Sequence, residues 1–176
     1  MRTLSSDPSG QQFPRWTLPP RKEISPDNLH ISSFVVVKRR TTAQNGKEGE
    51  RQPILLIRAG DKHPLSFRRG KLLLPATLLS YGEQPRAAAR RVLKEQLGSP
   101  SGLGDPEFLK LVSYLGAHWD LVMVFQAWVD AGDPQIQPRE PFVQSGFYDV
   151  NALPRAEVAQ DHLEVMDSVL NPSEDE

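Results

Sequence analysis

The chain has no cysteine, which removes a disulfide framework, a thiolate zinc site and a covalent thiol mechanism. It has no apolar run near the ~20 residues needed to cross a bilayer, and Arg2 is followed by no apolar leader segment. A surplus of one charge sign is missing too. Against 22 acidic residues stand 21 basic ones, so there is no global pull toward nucleic acid or an anionic membrane. These absences imply a soluble, cytoplasmic chain with no membrane partner and no clear nucleic-acid signal. Its 176 residues suit one domain with a full core.

Proline, by contrast, is abundant: there are 16, concentrated in the first 26 residues and around residues 134–141. Residues 1–27 read as a Pro/Ser-rich arm anchored at most by Phe13, Trp16 and Leu18, residues 28–170 as the folded domain, and residues 171–176 as an acidic tail. Within the domain, Ile31 to Lys38, with its Phe34-Val35-Val36-Val37 run, and Ile54 to Ile57 predict strands buried on both faces. A polar segment from Arg40 to Gln52 reads as a long hairpin loop. Residues 108–115 and 119–129 predict a second strand pair turning through Gly116-Ala117-His118. A last helix is expected from about Arg155 to Leu170, with Val158, Val165, Met166 and Val169 inward and a carboxylate stripe of Glu157, Asp161 and Glu164.

The most informative stretch is Leu72 to Gly98. An apolar strand, Leu72-Leu73-Leu74, is followed by a Gly82-Glu83 turn and then by a helix. Pro85 suits the first helical turn and Gly98 the C-terminal cap. At about 100° per residue Ala89, Leu93 and Leu97 share one side, while Arg91, Val92, Glu95 and Gln96 share a neighbouring one expected to be free for chemistry.

Glu83, Arg91, Leu93, Glu95 and Gly98 resemble, in order and spacing, the signature of the Nudix hydrolases. Five of its eight fixed positions agree; Thr77 stands where glycine belongs, and Val92 and Gln96 stand where glutamates belong. Phe147 to Pro154 is similar to the aromatic strand and Leu-Pro turn before the last helix of that family. The resemblance implies a Nudix-type α/β/α sandwich with a mixed β-sheet between helices. It also implies a site in which helix glutamates bind magnesium or manganese to polarise a diphosphate. Such hard cations need several converging oxygen ligands, and here only Glu95 of the three helix carboxylates remains.

The resemblance makes Glu95, Glu83 and Arg91 the candidate catalytic residues, with Glu95 and Glu140 as candidate metal ligands. The basic stretch from Arg58 to Lys71 supplies Arg58, Arg68 and Arg69 as candidate phosphate-binding groups. A plainer alternative makes Glu83 an acid near a helix N-terminus, Glu95 a solvated i, i+4 partner of Arg91, and the arginines a solvated loop. Three functions follow. The preferred one is a degenerate Nudix box whose pocket binds a nucleotide or other phosphorylated ligand with hydrolysis lost or weakened. The second is an active magnesium-dependent pyrophosphohydrolase of nucleoside diphosphate-linked compounds, with Glu140 or an acid of the last helix completing the site; Mg2+ or Mn2+ enters only here. The third is an interaction module that contacts a protein partner through the arm and Trp16. Pairing of two copies stays open, with Trp119 and Phe142 as apolar candidates.

Overall fold

A computed structural model describes residues 5–6, 12–13, 29–40, 53–98, 100–115, 119–130 and 136–170. The expected arm anchor at Trp16, the Arg40–Gln52 loop, the 116–118 turn and the acidic tail lie wholly or almost wholly outside them. In chain order the strands are β1 (Ser5–Ser6), β2 (Gln12–Phe13), β3 (Leu29–Arg39), β4 (Ile54–Ala59), β5 (Leu72–Leu73), β6 (Ala76–Leu78), β7 (Glu107–Leu115), β8 (Trp119–Val129) and β9 (Phe142–Tyr148). The helices are α1 (Pro85–Leu97) and α2 (Gln160–Leu170). No helix among these residues is long and apolar enough to cross a membrane.

β1 and β2 pair with each other; the other seven strands form one mixed sheet. β3 runs parallel to β8 from Leu29↔Trp119 to Arg39↔Val129, and β8 continues antiparallel into β7. The other edge of β3 is shared. β6 takes Ser32–Phe34 and β4 meets it at Lys38↔Ile54. β4 in turn pairs with β5 and β9.

The two-residue period of the strands sorts the core into two layers. Val35, Val37, Leu55, Ile57, Phe125 and Ala127 pack with Ala89, Val92, Leu93 and Leu97 of α1 on one side. Phe34, Val36, Ile54, Leu56, Val122 and Val124 pack with Val165 and Met166 of α2 on the other. The α/β/α sandwich read from the sequence is therefore the fold, and β3 and β4 are buried on both faces. Each fully buried Val, Leu or Ile contributes about 1.5–3 kcal/mol, so this central pair of strands is the main apolar store.

Three local expectations are corrected. Val92 does not share a free face with Glu95; it is wholly buried against the sheet. The last helix starts at Gln160, because Arg155–Glu157 forms a single 3-10 turn and the next residues are used by the sheet. Val158 bridges Leu72 and so stays in the sheet, and Ala159 N–H donates to the Leu72 carbonyl at 3.1 Å while its own carbonyl accepts the Leu163 N–H at 2.9 Å, which puts Ala159 at the helix boundary. Phe142 is not an exposed contact candidate; it is buried, with the His63 ring edge-on to it at 5.7 Å.

Candidate functional site

β6 and the first turn after it place the box residues. Ala76-Thr77-Leu78 is an extended strand pairing with Ser32–Phe34, a conformation that suits a β-branched threonine as well as glycine. The chain then turns at Gly82, whose φ of 76° is the left-handed conformation glycine allows. α1 opens with Pro85 in its first turn, and the buried Ser33 hydroxyl donates to the Pro85 carbonyl at 3.0 Å, fixing the helix start to β3. Gly98 closes the helix with φ 74° and donates its N–H to the Lys94 carbonyl.

Arg91 is the hub of this corner. Its Nε and Nη2 donate to the two oxygens of Glu83 at 2.8 and 2.9 Å, a forked pair. Its remaining hydrogen bonds go to Thr77 Oγ1, the Leu78 carbonyl and Glu95 Oε2, at 3.3, 3.1 and 3.3 Å. Glu83 also accepts the Ser80 N–H at 2.9 Å. The Arg91 guanidinium, and next the Ser80 amide, hold the Glu83 carboxyl well below its ordinary range, at about 2. Glu83, Arg91 and Glu95 are thus brought together, as a brace between β6, the turn and the helix.

Gln96 makes a second brace. Its side-chain nitrogen donates to the Ala76 carbonyl at 2.9 Å, and its side-chain oxygen accepts the Ala76 N–H at 3.3 Å. A glutamate has no N–H to give that carbonyl, so the clasp is specific to an amide. The acids do not suit a divalent cation either. Glu95 is 58% exposed and turned to Arg91, and Glu140 is held on the surface by Lys62 Nζ at 2.9 Å. Among the described residues no three His, Asp or Glu side chains form a group able to hold a metal ion. The donor set of the described residues does not fit magnesium or manganese.

The three candidate phosphate-binding arginines go different ways. Arg58 donates to the Gly70 carbonyl at 2.7 Å and to Glu157 at 2.6 Å, while Arg69 donates to the His63 carbonyl at 2.9 Å. Arg68 lines a cleft, where it pairs with Asp161 of α2. That cleft, about 450 Å³, lies on the α2 face of the sheet and reaches the box strand through Ala76, Thr77 and Leu78. Its floor is Phe34 and Val122, and its polar residues include His30, Ser32, Tyr114 and Asp120.

A family profile described as the NUDIX domain matches residues 33–169. The chain belongs to the Nudix family. Solved Nudix structures are similar to this Nudix domain in fold. The NUDIX domain of Shewanella oneidensis NrtR, complexed with ADP-ribose, is 17% identical, with 86% of this chain and 90% of that one covered and a TM-score of 0.57. A Nudix hydrolase from Nitrosomonas europaea is also 17% identical, over 97% and 86% of the two chains, with a TM-score of 0.58. A C. elegans Ap4A hydrolase binary complex is 18% identical over 80% and 92%, with a TM-score of 0.55. No curated protein sequence matches the chain.

Sequence reasoning missed the cleft residues His30, Ser32, Tyr114 and Asp120. Their signal was weak: single polar residues in apolar strands, which alternation places on the face of Phe34 and Val122. The Gln96 clasp had no signal at all, since its partner is a backbone peptide twenty residues away.

Proposed function

We propose that this Nudix domain binds a nucleotide or other phosphorylated small molecule in the cleft between β3, β8 and α2, with metal-dependent diphosphate hydrolysis lost or strongly weakened. The observation that carries the reading is the Gln96 clasp. It places an amide N–H on the carbonyl of the box strand, where a cation site would need an oxygen ligand and open space. Val92 supports it, because a buried aliphatic side chain in the core contributes no ligand and leaves no room for water. Glu83 and Glu95 are structural partners of Arg91 in this reading. The complex of the Shewanella domain with ADP-ribose makes that compound the first ligand to try.

The test combines binding and turnover. The purified chain is incubated with ADP-ribose, diadenosine tetraphosphate and other nucleoside diphosphate-linked compounds, with magnesium or manganese, beside Glu95→Gln. The expected result is a thermal shift with at least one compound and no metal-dependent release of phosphate or monophosphate. Turnover that requires metal and vanishes in Glu95→Gln would overturn the reading and identify a rebuilt hydrolase site.

A further inference from the structure

Along its edge of β3, β6 covers Ser32–Phe34, so the start of the strand at Leu29–Ile31 meets the turn that follows β6 instead. Leu79 N–H donates to the Ile31 carbonyl at 2.9 Å, and beside that contact lies a groove of about 430 Å³. Leu29, Ile31, Leu78 and Leu79 line it, with Ile31 37% and Leu78 59% exposed. Its charged residues are already engaged, Glu83 by Arg91 and His30 by Asp120 at 3.3 Å. His30 and Leu78 form the wall it shares with the ligand cleft. The groove is an apolar hollow that faces solvent.

At its rim stands Tyr81, with a fully exposed side chain. Ser80 to Glu83 is a tight turn. Glu83 N–H donates to the Ser80 carbonyl at 3.0 Å, the Glu83 carboxylate accepts the Ser80 N–H at 2.9 Å, and Gly82 supplies the left-handed residue. The fork from Arg91 then ties Glu83 to α1, so the ring is presented on a braced support. An aromatic knob and an apolar hollow thus lie side by side on one surface. That is what an isologous interface needs, because a two-fold rotation seats each knob in the other copy's hollow. The braced turn reduces the ordering cost of docking. Each tyrosine offers about 150–250 Å² of surface, and two knobs, two hollows and their rims bury on the order of 1,000–1,200 Å². That area is at the low end for a specific interface and suits a micromolar dimer. The exposed Phe108 and Leu111 of β7 fit a second copy less well, because the bulge between Phe108 and Lys110 bends that edge against strand addition.

We infer that the chain pairs with a second copy of itself through this corner, each Tyr81 ring seated in the groove that the other copy forms between the start of β3 and the turn after β6. The pairing is independent of what the cleft binds.

Sedimentation velocity on the full chain tests it. The expected result is a monomer–dimer equilibrium with a micromolar dissociation constant, weakened about tenfold or more by Tyr81→Ala and by Ile31→Lys, kept by Tyr81→Phe and unchanged by Leu111→Lys. Tyr81 packs against nothing, so its variants fold. The chain lacks cysteine, so Tyr81→Cys can also carry a single benzophenone label. Light-induced cross-links from that label to residues 29–31 or 78–79 of the other copy are expected. A chain that stays monomeric at about 0.5 mM, or a dimer indifferent to Tyr81→Ala or dispersed by Leu111→Lys, would overturn the inference. Cross-links confined to residues 1–28 of the same copy would overturn it as well and assign the groove to the N-terminal arm.

Discussion

Arg91 holds the residues of the Nudix signature together in one brace. Its guanidinium ties Glu83, Thr77, Leu78 and Glu95 to one helix position, so the Glu83 carboxylate is ionised far below its ordinary range. A carboxyl depressed from 4.5 to about 2 contributes stability that is complete above 4.5 and disappears as pH falls through about 2. Glu83→Gln is therefore expected to be less stable than the parent at neutral pH, with the gap closing between pH 4.5 and about 2. Urea midpoints across that range check it, and a gap that stays constant with pH would mean the pair is not ionic. Val92 carries the opposite lesson. With its side chain wholly buried among Ala89, Leu93 and the sheet, Val92→Glu inserts a carboxyl into an apolar layer and is expected to cost about 3 kcal/mol or more. Magnesium is expected not to restore the loss, since Gln96 still occupies the Ala76 peptide; recovery of the melting temperature by magnesium would show a latent cation site.

At the scale of elements, α1 depends on its stop signal. Gly98 has φ 74°, and a Cβ there would meet nothing nearer than 3.6 Å, so Gly98→Ala costs only the backbone conformation, about 1 kcal/mol by chemical denaturation. A much larger loss would mean that the nearby Arg139 and Gln137 are displaced as well. The same helix was legible from sequence because its signals are local: a proline at the start, a glycine at the end and an apolar stripe between. β3, β4 and β8 were legible for a similar reason, each being a dense run of β-branched and aromatic residues. β6 and the delayed start of α2 were not, because long-range pairing decides them. Ala76-Thr77-Leu78 has little strand character of its own and is extended because it lies against Ser32–Phe34; Val158 is kept out of α2 by its bridge to Leu72, which leaves Ala159 at the helix boundary. The site divides along the same line. Glu83, Arg91 and Glu95 were found from spacing along one helix and turn, whereas the cleft draws on β3, β6, β7, β8, α2 and the 65–68 segment, a set that only the topology assembles.

The molecule as a whole carries a pH dependence, and its origin is the seam between α2 and the sheet. His162, in the first turn of α2, is buried; its Nδ1 accepts the Leu74 N–H at 3.1 Å, and its ring lies 4.7 Å from Phe34. An Nδ1 that accepts carries no proton, so the folded ring is neutral, with its Nε2 hydrogen buried and without a hydrogen-bond partner among the described residues. Burial is the largest cause that lowers its pKa from 6.5 to about 3; Arg68 and His63 also lower it, while Asp161 opposes the shift. Between those values the unfolded chain binds a proton that the native chain refuses, so stability falls as pH drops below 6.5, at up to about 1.4 kcal/mol per pH unit. Glu83 adds its own loss only below 4.5, which leaves the range from pH 6.5 to 5 to this histidine in any comparison with a variant that differs there alone. In His162→Asn the side-chain oxygen takes the place of Nδ1 as acceptor for Leu74, but nothing titrates. The variant is expected to be about 1–2 kcal/mol less stable near pH 7.5, from the ring volume it gives up, and to lose less stability than the parent toward pH 5. The two curves should therefore converge in the acid range. Parallel curves from pH 7.5 to 5 would mean that His162 accepts a proton inside the fold, and that the contact between Leu74 and α2 is remade on protonation rather than broken.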